Sequence, residues 1–171
     1  MTYSSGFPAA AWPDAKLLIL GSLPGRRSLE VQQYYAQPRN AFWPLMSSLL
    51  GFDSSLCYAD RLHSLNARGV ALWDVCASAD RVGSLDQRIE LSSVRVNDFE
   101  VLFETYPKIA LICFNGAKAA SLYRRLALPT LSVRAAAIAS QRLPSTSPAH
   151  ASLTLAQKLE KWRHALAPCL D

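Results

Sequence analysis

Several absences bound the chain before any motif is read. Its four cysteines, at 57, 76, 113 and 169, form no C-x-x-C pair, and its three histidines, at 63, 150 and 164, stand at no metal-ligand spacing. A zinc site or an iron–sulfur cluster is therefore not expected, and no cofactor is assigned. Cys76 and Cys113 fall in apolar runs and read as small core residues. No apolar stretch is long enough to span a bilayer, so no membrane partner is expected. The opening MTYSSGFPAA has neither a basic start nor an apolar core. A secretory leader is not expected, and the cytoplasm is the default compartment, with nucleoid association if DNA is the substrate. Internal repeats, low-complexity tracts and inter-domain linkers are also lacking.

Charge is sparse, at 18% Asp, Glu, Lys and Arg against 50% hydrophobic residues. That balance excludes a disordered chain and fits an ordinary globular one. Eighteen Lys and Arg against 13 Asp and Glu leave a net charge of +5, which permits a polyanion partner such as DNA without demonstrating one. A length of 171 residues fits one domain with a full core. Residues 1–14, with Pro8 and Pro13 resisting helix, read as a loosely held lead-in to a single domain over 15–171.

The apolar run Leu17 to Leu20 predicts a strand, as do Val70 to Val75, Ile109 to Phe114 and, more weakly, Ile138 to Leu143. Helices are predicted over Phe42 to Leu50, stopped by Gly51, and over Tyr58 to Ala67, stopped by Gly69. Asn97 can cap a helix over Asp98 to Tyr106, and Gly116 to Leu126 reads as a further helix. Ser152 can cap a last helix whose Leu155, Leu159, Trp162 and Leu166 form an apolar stripe. Strands alternating with helices predict an α/β fold with a parallel sheet covered on both faces. Ligands in such folds bind at the carboxyl ends of the strands. That topology places Tyr35, Asn40, Asp74, Asn115 and the stretch Ser145 to His150 around one pocket.

Two segments carry most of the chemistry: GSLPGRRSLEVQQYYAQPRNAFW from Gly21 to Trp43, and LPSTSPAHA from Leu143 to Ala151. The pattern GSLPG followed by YYAQPRNAFW resembles the first motif of the uracil-DNA glycosylase superfamily, and LPSTSPAHA resembles the second, which enters the DNA minor groove. GSLPG combined with STSPAHA is most similar to the hypoxanthine (deoxyinosine) DNA glycosylases. VALWDV, GSLDQRI and CFNGAKA also fit, so the resemblance spans about residues 16–165. It implies a three-layer αβα sandwich around a central, mainly parallel four-stranded sheet. The implied activity is hydrolysis of the N-glycosidic bond of a deaminated base in DNA.

The chain departs from the superfamily pattern at two positions. The third residue of the glycine–proline loop, an asparagine that activates water in the mismatch-specific branch, is Leu23, with Ser22 beside it as a weaker polar substitute. The histidine or asparagine usual in the second motif is replaced by Ser145. Both departures speak against efficient uracil removal. For the deoxyinosine branch, the resemblance implies that Asn40, the asparagine of P-x-N, is catalytic.

Each candidate has a plainer alternative. Asn40 could hold the water that attacks C1′, or merely cap its own loop. Tyr35 could stack on an extruded base, or be an ordinary structural tyrosine, with Tyr34 as structural partner. Asp74 could accept from N1–H of hypoxanthine and leave adenine unpaired, or sit in a salt bridge or cap. Gly21, Leu23, Pro24, Gly25 and Phe42 complete the expected substrate-binding set, though Phe42 and Trp43 are as readily core. Asn115 could bond base or phosphate, or cap the next helix. Ser145, Thr146 and Ser147 could bond phosphates or form a plain turn, while Pro148, Ala149 and His150 occupy the wedge position. Arg26, Arg27, Arg39 and Lys118 could attract the backbone or simply be solvated.

The expected reaction is metal-free water attack after base flipping, by a monomer acting on damaged duplex DNA, with single strands left open as a further substrate. No lysine falls in either motif, so lyase activity is not expected. The rivals are a uracil or mismatched-thymine glycosylase, a non-catalytic DNA- or nucleotide-binding module on the same fold, and an unrelated hydrolase with a Ser22, His150 and Asp74 triad.

Overall fold

Apolar runs too hydrophobic to face water on either side become the central strands. In the computed structural model, which describes residues 2–170, the chain runs β1 (Thr2–Ser5), β2 (Leu17–Gly21), α1 (Arg26–Val31), α2 (Phe42–Leu50), α3 (Tyr58–Ala67), β3 (Val70–Asp74) and β4 (Cys76–Arg81). It continues through β5 (Arg95–Val96), α4 (Phe99–Thr105), β6 (Leu111–Asn115), α5 (Ala117–Leu122), α6 (Val133–Ala136), β7 (Ala139–Leu143) and α7 (Leu155–Leu170). Strands β3, β2, β6 and β7, in that order, form a wholly parallel four-stranded sheet. The two-residue period of β2 sends Leu17 and Ile19 to one face and Leu18 and Leu20 to the other. Leu17 and Ile19 pack with Phe42, Met46, Leu65 and Trp162 from α2, α3 and α7. Leu18 and Leu20 pack with Phe99, Phe103, Ala119 and Leu122 from α4 and α5. Each such side chain contributes about 1.5–3 kcal/mol on burial. The expected αβα sandwich is thus present. The weak strand signal of β7 has a physical cause, since ASQRL forms a largely exposed polar sheet edge.

Several expectations need correction. The lead-in is not loose. Thr2–Ser5 pairs antiparallel with β4 in a second sheet, β1-β4-β5, and Ala10 exchanges both backbone hydrogen bonds with Leu72 at 2.9 Å. Proline forbids helix there but permits extended pairing, and the edge of β3 needs partners for its backbone. Asn97 does not cap α4; the Asp98 side chain does, accepting from Val101 N–H, while Asn97 Nδ2 donates to the Asp74 carbonyl at 2.7 Å. The last helix is capped by Thr154 rather than Ser152. Thr154 Oγ1 accepts from Gln157 N–H at 3.2 Å and Gln157 Oε1 accepts from Thr154 N–H at 2.9 Å, a reciprocal capping box legible as T-x-x-Q. Leu155 is exposed, so the apolar stripe of α7 starts at Leu159. The helix after β6 is α for only six residues and then widens into a π turn over Tyr123–Ala127.

Candidate active site

The carboxyl ends of the four parallel strands bring the two unusual segments together. Ala41 N–H, from the first, donates to the Thr146 carbonyl, from the second, at 2.9 Å. Between them lies a cavity of about 490 Å³, within the range of small-molecule sites. Gly21, Ser22, Leu23, Pro24, Gly25, Tyr35, Asn40, Asp74, Asn115, Ser145, Thr146 and Ser147 all line it.

Gly21 and Asp74 are register partners at the ends of β2 and β3. A Cβ at Gly21 would overlap Asp74 Oδ1 and lie 3.3 Å from the Tyr35 hydroxyl, so glycine makes room for both polar groups. Asp74 is only 4% exposed, and its Oδ2, like the Tyr35 hydroxyl, is buried without a hydrogen-bond partner. Burial, and secondarily the charge of Asp86, pushes the Asp74 carboxyl up to about 7, against the pull of Arg81. Burial, then the Asp74 charge, raises the Tyr35 phenol, with the Asn115 amide opposing. An unpaired buried polar atom costs about 1–3 kcal/mol. Two of them lie beside one cavity, where a polar partner would offset that cost.

Tyr35 holds a left-handed backbone, φ 55°, unusual for a tyrosine. Its ring is stacked on Phe42, with centroids 3.9 Å apart and planes 21° apart. Phe42 itself is fully buried and does not line the cavity, which corrects its expected substrate contact: it supports Tyr35 from behind. Tyr34 is structural as expected, its hydroxyl donating to the Pro8 carbonyl at 2.9 Å and its carbonyl accepting from Trp43 Nε1 at 2.9 Å. Asn40 faces the cavity, yet its Oδ1 accepts from Phe42 N–H at 2.9 Å. The capping reading of Asn40 is therefore present at Oδ1, and no hydrogen bond among the described residues engages Nδ2.

Asn115 neither caps α5 nor stands free. Its Oδ1 accepts from Thr146 N–H and its Nδ2 donates to Thr146 Oγ1, both at 2.9 Å, so the amide clamps the second motif. Thr146 is buried by this clamp, which counts against its expected phosphate contact. Ser145 Oγ accepts from Ser147 N–H and Ser147 Oγ from Ala149 N–H, each at 3.2 Å. In both turns the serine acts as acceptor, and its O–H is left to donate elsewhere. Gly116, with φ 99°, lets this turn approach: its Cβ would lie 3.0 Å from that of Ser145. Ala149 and His150 lie outside the main cavity, on an adjoining one of about 420 Å³ with Lys118, and Pro148 is exposed. The His150 ring stands 3.3 Å from Ser152 Oγ, so no Ser22–His150–Asp74 triad is assembled.

Two residues escaped the sequence reading. Asp86, on the turn after β4, lines both cavities. Burial raises its carboxyl, while the Ser22 hydroxyl, Arg81 and Lys118 favour its charged form. Its segment, GSLDQRI, is part of the resemblance, but no local pattern in it marks the aspartate. Arg81 is 1% exposed and donates to the carbonyls of Gly83 at 3.0 Å, Leu23 at 3.3 Å and Pro24. It fastens the glycine–proline loop, and no local pattern announced it. Arg26 and Arg27 reach the cavity edge but pair with Glu30 at 3.1 and 3.6 Å. Among the described residues no group of three or more His, Cys, Asp or Glu could hold a metal, and no helix is long and apolar enough to cross a membrane.

Fold and site together define a class: an α/β domain whose cleft, at the carboxyl edge of a four-stranded parallel sheet, is closed by loops after β2 and β7. The chain belongs to the uracil DNA glycosylase superfamily, whose family model matches residues 8–167. It is 43% identical over 115 residues to a hypoxanthine DNA glycosylase of Methanosarcina acetivorans, covering 67% of this chain and 72% of that protein. A hypoxanthine DNA glycosylase of Methanosarcina barkeri is 40% identical over 114 residues, 66% of this chain and 71% of that one. A solution NMR structure of a Methanosarcina acetivorans protein, described as a uracil DNA glycosylase, superposes with a TM-score of 0.78 at 35% identity. That superposition covers 95% of this chain and 98% of the other.

Proposed function

We propose that this chain is a monofunctional hypoxanthine DNA glycosylase, which extrudes deoxyinosine from DNA and hydrolyses its N-glycosidic bond. The observation that carries this reading is the pair of unpartnered buried groups, Asp74 Oδ2 and Tyr35 Oη, beside a cavity of about 490 Å³. Hypoxanthine presents N1–H where adenine presents an acceptor. An ionised Asp74 accepts from that N–H and faces adenine with a repelled lone pair, a difference of about 1–3 kcal/mol. Tyr35, braced by Phe42, offers the extruded base an aromatic surface.

As the bond to C1′ breaks, the base leaves as an anion, which hydrogen bonds to its edge stabilise. Asn40 orients the attacking water through Nδ2, its Oδ1 being held by Phe42 N–H. The O–H groups of Ser145 and Ser147 are placed to donate to backbone phosphates. No lysine lines the cavity, which supports hydrolysis without strand-cleaving lyase chemistry.

The test is incubation with duplexes carrying one deoxyinosine, one uracil or one mismatched thymine, followed by alkali to cut abasic sites. Cleavage at deoxyinosine is expected. Cleavage at uracil alone would transfer the chain to a uracil-specific reading. Tight binding without cleavage would make it a binding module.

A further inference from the structure

Asn40 leaves two needs of the reaction unmet. A cationic C1′ calls for a nearby negative charge, and the attacking water must give a proton to some group. A carboxamide is neutral and does not take up a proton at ordinary pH, and the oxygen of Asn40 is already bonded to Phe42 N–H at 2.9 Å. The loop residue next to Ser22 is leucine, which supplies neither.

Three carboxylates line the main cavity: Glu30, Asp74 and Asp86. Glu30 is paired with Arg26 and Arg27 at 3.1 and 3.6 Å and lines the main cavity only. Asp74 is buried at the end of β3 against Gly21 and the Tyr35 hydroxyl, where the base edge is read. Asp86 is different. It lines both the base cavity and the adjoining cavity that carries Lys118 and His150, so it stands where the two meet. The sugar of an extruded nucleotide must occupy such a junction, because it joins the base to the backbone. Its side chain retains 42% exposure, enough for water to reach it. Arg81 Nη1 lies 3.9 Å from Asp86 Oδ1 while the same guanidinium grips the Leu23 and Pro24 carbonyls, so the carboxylate and the glycine–proline loop share one anchor.

We infer that Asp86 is a catalytic carboxylate of this enzyme, facing C1′ and accepting the proton of the attacking water. The inference rests on the glycosylase reading. In the step, the C1′–N9 bond breaks with its electron pair going to the base. The water oxygen bonds to C1′, its proton passes to Asp86, and the base anion takes a proton from solvent. The titratable and charged groups around Asp86 are Asp74 of β3, Cys76 and Arg81 of β4, Lys118 of α5, and Tyr35. Burial raises the Asp86 carboxyl, and the Ser22 hydroxyl and the two cations oppose that rise in favour of the ionised form that the step uses.

The experiment measures single-turnover cleavage of a deoxyinosine duplex by wild type, Asp86→Asn, Asp86→Glu and Asp86→Ala, with duplex affinity and thermal midpoint measured alongside. Asp86→Asn is expected to cut about 10²–10³ times more slowly, with affinity and midpoint near wild type. Asp86→Glu should keep part of the rate, and added formate should restore part of the rate to Asp86→Ala, which a structural role would not allow. Wild-type cleavage with Asp86→Asn within about threefold of it, or loss of rate in Asp86→Ala without formate rescue, would overturn the assignment of Asp86 alone. Wild type that cuts no deoxyinosine would overturn the glycosylase reading, and the role of Asp86 with it.

Discussion

Replacing Asp74 with asparagine alters one terminal group and removes one titration, so it separates stability from function in the cavity. The Asp74 carboxyl moves from 3.8 to about 7 on folding, burial being the main cause and Asp86 the second. A shift of that size corresponds to about 4 kcal/mol at most. The sign follows from proton linkage. The folded value is raised, so the contribution to stability is complete below the unfolded value and is lost as pH rises through the folded one. At pH 8 the wild type carries the full burden of a buried charge; at pH 3.5 it carries almost none. Asp74→Asn has no such dependence. Urea unfolding should therefore find the two proteins of similar stability at pH 3.5 and the variant more stable at pH 8, by up to about 4 kcal/mol. Cleavage assays at pH 8 should show the preference for hypoxanthine over adenine weakened in the same variant, since an amide can donate to adenine N1. Equal stability at both pH values, or a variant less stable at pH 8, would refute the picture of an unpaired carboxylate. An unchanged base preference would remove Asp74 from base reading.

Three further outcomes follow from the same geometry. Asn40→Ala should lower the single-turnover rate about 10²–10³-fold with little change in duplex affinity, whereas a near-wild-type rate would leave Asn40 as a loop cap only. Asn115→Ala should cost about 1–3 kcal/mol in urea unfolding by unpairing the buried Thr146 amide, and should weaken binding to deoxyinosine duplex because the second motif loses its clamp. Arg81→Met strips hydrogen bonds from the Gly83, Leu23 and Pro24 carbonyls. It should lower stability by at least about 2 kcal/mol and the cleavage rate along with it; an active, equally stable variant would show that the loop holds its shape without the guanidinium.

The parts of the molecule that the sequence made legible are those where one interaction dominates. The runs LLIL, VALWDV and IALICF could only be buried on two faces, and they became β2, β3 and β6. Gly51 and Gly69 terminate helices as expected because each adopts a positive φ, 71° and 74°. What stayed hidden depends on partners distant in the chain. Thr2–Ser5 looks like a tail until β4 is there to pair with it. Asn115 resembles a helix cap because the residue it clamps lies 31 positions on. Phe42 reads as a substrate contact because sequence does not say which of two stacked aromatics is in front. Asp86 and Arg81 meet the motif loop only through the fold, and charged residues in a polar segment carry no periodicity to betray them.

The same logic explains why the cavity is built from groups that do not help the free protein. Gly21 forgoes a side chain, Tyr35 adopts φ 55°, and Asp74 Oδ2 and the Tyr35 hydroxyl lie buried without partners. The left-handed Tyr35 backbone and each unpartnered buried atom lower the stability of the free protein by about 1–3 kcal/mol. The arrangement persists because β2 and β3 are locked by a buried core, because Arg81 fixes one loop from outside the cavity, and because Asn115, on the cavity wall, clamps the other. A base that offers a donor to Asp74 recovers part of that deficit, whereas one that offers an acceptor deepens it. If Asp74 reads the base as proposed, discrimination would rest less on new attractive contacts than on a penalty already present in the free protein. It follows that substitutions relieving the penalty, Asp74→Asn first among them, should stabilise the protein and blunt its choice of base together.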